Sequence, residues 1–186
     1  RQEQAYPPPS AQNSLPHALT SFVGRGQEMS EIGRLLTQAR LVTLIGAGGS
    51  GKTRLAIQTA AALSERFAAG VRLVEFAALT DPSLVPQAVA AALDVHETAD
   101  HSLLGNLIEA LRSKHLLLLL DNCEHLVDAC VRLADALLQA CPRLHILATS
   151  RHALGLIGET IWRVPALAVP DPCLLYTSPS PRDRQK

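Results

Sequence analysis

The segment Gly46-Ala47-Gly48-Gly49-Ser50-Gly51-Lys52-Thr53 follows an apolar run, Leu41 to Ile45, and leads into a helical stretch from Lys52 to about Arg66. A short apolar run, a glycine-rich turn and a longer periodic stretch read as strand, loop and helix. The eight residues satisfy the pattern G-x-x-x-x-G-K-[ST]. Its glycines let the backbone curl until successive amide N–H groups point inward at phosphate oxygens. The N-terminal end of the helix adds its own partial positive charge. Lys52 is expected to reach the β- and γ-phosphates, and the Thr53 hydroxyl to ligate magnesium. A nucleoside triphosphate with magnesium is the ligand this loop implies, against the bland alternative of a glycine-rich turn that holds nothing.

Upstream of that segment, Met29, Ile32, Leu35 and Leu36 fall at helical spacing. Val71 to Phe76 reads as a second strand, and Pro82 to Leu93 and Ser102 to Leu111 as two helices. Leu116 to Leu120 and Leu144 to Ala148 are the next strands, with a helix from about His125 to Ala140 between them, and a last strand over Thr160 to Val164. Strands that alternate with helices predict a parallel sheet covered on both faces, an α/β three-layer sandwich. With aromatic residues at 3% and apolar residues at 47%, the core must be aliphatic.

The flanks differ in kind. Residues 1–16 hold four prolines among Gln, Ser and Asn, too polar to offset chain entropy, and predict a flexible linker. The folded core is expected over 17–170. From Cys173 the pattern breaks: back-translation of Cys173 to Asp183 matches the transposase adapter used to prepare sequencing libraries, so 173–186 is expected to be a non-native tail. The chain does not begin with Met, which suggests a fragment.

Lys plus Arg and Asp plus Glu both number 17, with no like-charge block in the body. That balance argues against direct nucleic-acid contact or a membrane-surface partner. The most apolar run, Leu116 to Leu120, is far short of the roughly 20 residues of a membrane span. The polar start from Arg1 to Pro9 is not a signal peptide, so a cytoplasmic location is expected. Cys123, Cys130 and Cys141 form no CxxC pair and read as reduced, buried thiols.

Asp121 ends the leucine run, where a buried strand would deliver a carboxylate to the metal; the alternative is a helix-capping Asp. Glu124 is a candidate to orient or deprotonate an attacking water, or else a first-turn Glu favoured by the helix dipole. Arg151, in Thr149-Ser150-Arg151, is a candidate sensor of the γ-phosphate, or a solvated surface Arg. Lys52, Asp121, Glu124 and Arg151 make the candidate catalytic set, and Thr53 and Asp121 the magnesium ligands. His125, His145 and His152 lack metal-ligand spacing and read as structural. Trp162 reads as core.

Several strings resemble the STAND branch of P-loop ATPases, close to the NB-ARC and AAA+ groups. Asn13-Ser14-Leu15-Pro16 leading to Leu19-Thr20-Ser21-Phe22-Val23-Gly24-Arg25 is similar to their entry segment. The stretches Leu44 to Leu55, Leu116 to Leu126 and Ile146 to Arg151 are similar to their Walker A, Walker B and sensor 1 strings. The resemblance covers roughly residues 13 to 170 and is nearest to ATPase modules of large bacterial transcriptional regulators, of the LuxR type and of the winged-helix and activator-domain type. It implies strand order 5-1-4-3-2, and it implies nucleotide contacts at Val23, Gly24 and Arg25 beside those from Gly46 through Thr53 and Arg54. ATP and ADP as ligands, flanking DNA-binding or output and C-terminal helical sensor domains, and a nucleotide-dependent oligomer also come from the resemblance. Asn122 departs from AAA+ enzymes that carry a catalytic Glu after the Walker B Asp, which favours slow hydrolysis.

The function expected is an ATP/ADP-binding regulatory switch within a larger signal-responsive transcriptional regulator. The alternative is a turnover AAA+ ATPase that remodels a macromolecule. A small-molecule kinase ranks below both, since no arginine-rich lid segment is visible.

Overall fold

Aliphatic runs without polar alternation need cover on both faces, and the chain meets that need with one sheet between two helical layers. The structure, a computed structural model, describes residues 15–16, 24–98 and 101–165. Val23, the linker up to residue 14 and the tail 173–186 lie outside the described residues. Strands β1 (Leu41–Ile45), β2 (Val71–Glu75), β3 (Leu116–Asp121), β4 (Leu144–Ser150) and β5 (Glu159–Arg163) are all parallel and lie in the order β2-β3-β4-β1-β5. Read from the other side, this is the order 5-1-4-3-2 that the resemblance implies.

The helices are α1 (Gly26–Gln38), α2 (Lys52–Ala62), α3 (Val85–Leu93), α4 (Leu103–Leu111) and α5 (Val127–Ala140). The leucine run of β3 shows how they assort. Leu117 and Leu119 pack with Ile32 and Leu36 of α1 and Leu55, Ala56 and Ala60 of α2. Leu116, Leu118 and Leu120 point the other way, onto Val89 of α3, Leu107 of α4 and Leu133 and Leu137 of α5. Successive strand residues face opposite sides, so five leucines in a row supply both cores. Leu15 also packs on the α1/α2 side, as does half-buried Trp162.

The element boundaries shift from expectation at the ends. The helix from Lys52 stops at Ala62, and a separate 3-10 turn covers Ser64–Arg66. Another 3-10 turn, Pro82–Leu84, precedes α3, begun by Asp81, whose Oδ1 accepts the Ser83 N–H at 2.9 Å. A third such turn, Cys123–His125, takes His125, so the next helix begins at Val127 rather than at about His125. β3 and β4 run on through polar residues to Asp121 and Ser150, because each has a parallel partner on both sides to take its backbone hydrogen bonds. Cys123, Cys130 and Cys141 are free and buried, as the spacing predicted. Among the described residues no helix is long and apolar enough to cross a membrane.

At the amino end of the sheet the rings of Phe67, His115 and His145 pack together, with centroids 4.9 to 5.6 Å apart. Burial, then nearby Arg143 and Arg66, lower the His115 pKa below the ordinary histidine value. Burial also lowers that of His145, helped by His115, Arg40 and Arg66 and opposed by a backbone hydrogen bond. Both groups therefore bind protons less readily folded than unfolded, so their contribution is intact above the unfolded histidine pKa and is lost as pH falls below about 6.5. The melting temperature should drop between pH 7.5 and 5.5, and the double variant His115→Gln/His145→Gln should lose that part of the slope in a thermal melt.

Candidate functional site

In an all-parallel sheet every strand ends on the same edge, so whatever follows β1, β3 and β4 converges there. The order β3-β4-β1 makes the three ends neighbours. Ile45 lies in register with Ser150, and Leu120 with Ala148. The glycine-rich loop, Asn122 and Glu124 beyond β3, and Arg151 beyond β4 thus face a single cleft of about 590 Å³, with Asp121 and Thr149 buried at the strand ends behind it. Gly48, Gly49, Gly51, Lys52, Thr53, Arg54, Asn122, Glu124 and Arg151 line it, with Pro16, Ile57 and Gln58.

The loop leaves β1 at Gly46 and enters α2 through Gly51, whose φ of 83° lies in the left-handed region that a side chain disfavours. Lys52, the first residue of α2, is 7% exposed. Its Nζ donates to the carbonyls of Gly46 and Ala47 at 2.9 Å each. The ammonium is therefore held against the carbonyls of the loop itself. Arg25, itself at φ 62°, donates from Nη2 to the Pro165 carbonyl at 3.1 Å. Its Nη1 lies 3.6 Å from where a Cβ on Gly51 would sit, which sets Arg25 beside the loop. Gly24 is exposed and does not line the cleft.

Asp121 is 4% exposed and is oriented by a residue that inspection of the motifs alone does not single out. Thr149 Oγ1 donates to Asp121 Oδ1 at 2.6 Å and accepts the Asn122 N–H at 3.0 Å. Asn122 sits at φ 63°, ψ 49°, a left-handed conformation that Asn tolerates better than most residues. The chain turns out of β3 at that point into the Cys123–His125 turn. Asn is thereby explained locally: it makes the turn and hands its amide to Thr149.

Glu124 and Arg151 meet. Arg151 Nε lies 3.2 Å from Glu124 Oε1, with the Glu124 side chain 18% exposed and Arg151 62% exposed. The second carboxylate oxygen of Glu124 is buried without a hydrogen-bond partner. The two candidate catalytic groups are therefore each other's partner. His125 binds the Leu79 carbonyl through Nε2 at 2.7 Å. His152 is exposed.

The donors suit magnesium better than a transition metal. One buried carboxylate and one hydroxyl, Asp121 and Thr53, leave most of an octahedral shell to water and phosphate, which is how magnesium is usually held. Among the described residues no cluster of three or more His, Cys, Asp or Glu is built to hold a metal by itself.

A glycine-rich loop of G-x-x-x-x-G-K-[ST] pattern after β1 and a buried carboxylate at the end of β3, in a five-stranded parallel sheet, define the class of P-loop NTPases. The chain belongs to the AAA domain family, whose model matches residues 34–160. An uncharacterised protein of Mycobacterium tuberculosis is 44% identical over 160 residues, which is 86% of this chain and 41% of that protein. A second protein of that organism, provisionally named an HTH-type transcriptional regulator, is 46% identical over 137 residues, 74% of this chain and 15% of its own length. The chain thus spans less than half of either relative. In fold it is similar to a signal transduction ATPase with numerous domains, a STAND protein with a tetratricopeptide repeat sensor from Pyrococcus horikoshii. The TM-score is 0.57 at 19% identity, over 84% of this chain and 25% of that one.

Replacing one partner of a buried, charge-assisted hydrogen bond costs about 1–3 kcal/mol. Thr149→Val should therefore lower stability by about that amount in urea unfolding. A double-mutant cycle with Asp121→Asn should return a coupling energy of about 0.5–3 kcal/mol, and additivity of the two changes would contradict the geometry.

Proposed function

We propose that this chain is an ATP- and ADP-binding switch module with slow hydrolysis, working inside a larger transcriptional regulator. The observation that carries this reading is the engagement of the cleft's carboxylate. Among the described residues that line the cleft, Glu124 is the sole acid, and Arg151 holds it. A general base must be within reach of the water it activates. Glu124 Oε1 already accepts from Arg151 Nε and its other oxygen is buried, so neither oxygen stands open to an attacking water. Asn122, where many AAA+ enzymes carry Glu, adds no base.

Binding itself follows from the loop. The amides of Gly48 to Lys52 and the start of α2 receive phosphate oxygens. Lys52 exchanges its carbonyl partners for the β- and γ-phosphates, and Arg25, Arg54 and the entry segment hold the nucleoside. Thr53 and Asp121 hold magnesium, with Thr149 fixing which carboxylate oxygen is turned to it. Magnesium, when bound, neutralises phosphate charge. Arg151 is set to sense the γ-phosphate. The name of the M. tuberculosis relative supports the regulatory setting, with a DNA-binding domain elsewhere in the polypeptide, and the low share of that relative covered supports flanking domains as the partners of this module. Nucleotide-dependent oligomerisation belongs to the same reading.

Nucleotide content and turnover of the purified protein test this. Wild type should retain ADP and turn over below about 1 per second, the low end of ordinary enzymes. Lys52→Ala should lose the nucleotide, and Asp121→Asn should weaken the magnesium dependence of binding. Turnover well above 1 per second, abolished by Asp121→Asn, would instead mark a remodelling ATPase, and absence of nucleotide binding would remove both readings.

A further inference from the structure

The end of the sheet opposite the cleft gathers several cations that are far apart in sequence. Lys114 and His115 immediately precede β3, Arg143 precedes β4, and Arg66 closes the 3-10 turn before β2. Because β2, β3 and β4 are parallel neighbours, these residues stand side by side along the amino edge. Arg112, at the C-cap of α4, joins them. The loop before β2 is tied to the start of β3 by the Ala69 N–H on the His115 carbonyl at 2.9 Å. The His115 and His145 rings touch across the gap between β3 and β4.

Arg66, Arg112, Lys114 and Arg143 are all exposed. None of the four has an ion-pair partner among the described residues. Glu65 and Glu109, the acids nearest them in sequence, do not pair with them. Arg66 spends one N–H on the Gly33 carbonyl at 3.4 Å. Arg40 is different in use, since its Nη1 donates to Leu138 and Cys141 at the end of α5. Burial is the largest cause of the pKa shifts beneath, lowering His115 and raising Cys141; beside it Arg143 and Arg66 lower His115 further, and Arg112 and Arg40 partly offset the rise at Cys141. A neutral total of 17 cations and 17 anions conceals this segregation, because a sum has no coordinates.

The chemistry of the patch selects its partner. A protein interface has a core of aromatic and apolar side chains. Here Phe67 is 4% exposed, and the exposed large apolar residues Leu84, Ile157 and Ile161 belong to other elements. A polar, guanidinium-rich surface matches phosphate oxygens. Three neighbouring strands about 4.8 Å apart spread these cations over roughly 10 Å, a length that holds about three phosphates of one DNA strand. Among the described residues the patch offers no exposed aromatic ring on which bases stack. It therefore fits the backbone and reads no sequence.

We propose that the amino edge of the sheet binds the phosphate backbone of duplex DNA through Arg66, Arg112, Lys114 and Arg143. This runs counter to the expectation, drawn from overall neutrality, that the module makes no nucleic-acid contact, and the test below decides between them. It stands independently of the nucleotide reading.

The test is fluorescence anisotropy of a labelled 20-base-pair duplex of arbitrary sequence with the full chain, between 50 and 200 mM salt. Wild type should bind, with log K falling against log salt at a slope of about −3. Changing Arg66, Arg112, Lys114 and Arg143 together to Ser should weaken binding about tenfold or more and flatten the slope. Changing the three arginines to Lys should keep most of the affinity, and Lys52→Ala should leave it intact. Circular dichroism melts of the Ser variant establish that it is folded. No binding at 50 mM salt, or undiminished binding by a folded Ser variant, would overturn the proposal. So would loss of binding in Lys52→Ala, which would put the DNA phosphates in the glycine-rich loop. Displacement of the duplex by poly-glutamate at equal charge concentration would also overturn it, in favour of an acidic protein partner.

Discussion

Everything in this molecule that bears on chemistry depends on the strands being parallel. A parallel sheet has a carboxyl edge and an amino edge, and side chains just beyond the strands collect at one or the other. With β4 lodged between β3 and β1, the carboxyl edge gathers the glycine-rich loop, Asp121 and Arg151 although they are far apart in sequence. The same constraint requires helices on both faces. That is why the unbroken leucines of β3 are needed: three serve the α3/α4/α5 layer and two the α1/α2 layer.

Parallelism also explains how polar residues survive at the centre of the sheet. Asp121 and Thr149 are both buried on adjacent strands, and each satisfies the other at 2.6 Å. Alone, either would be an uncompensated polar group in an apolar wall. Together they form a rigid platform beside the loop, and the turn at Asn122 is fastened to it. The Glu124–Arg151 pair lies one step nearer to solvent, with Arg151 mostly exposed. Burial therefore decreases from Asp121 outward, and the group proposed to sense the γ-phosphate lies at the solvent end.

Much of the fold was legible in the sequence because the signals were local. The strand-loop-helix around Gly46 to Thr53 is one continuous stretch, and the strand at Leu116 to Leu120 is visible as a run of one residue type. The boundaries were less legible, since the 3-10 turns at Ser64–Arg66 and Cys123–His125 lie one residue from α2 and α5, with no glycine or proline between to mark the break. What could not be read at all was pairing across the sheet. Nothing at Thr149 announces that it will meet Asp121, and nothing at Glu124 or Arg151 announces the other, because register between β3 and β4 decides both. The cations of the amino edge were hidden for the same reason: Arg66, Arg112, Lys114 and Arg143 are scattered along the chain and only the strand order lines them up.

The position of β1 has a consequence for how the chain comes together. Its partners are β4 on one side and β5 on the other, and the first of these lies roughly a hundred residues further on, a large sequence separation that slows folding. During synthesis, β2 and β3 emerge and can pair before β4 exists, while β1 waits without a neighbour. The glycine-rich loop is thus anchored to a strand that enters the sheet late. A chain released before β4 and β5 are made would hold the loop's residues in full and have no sheet to mount them on.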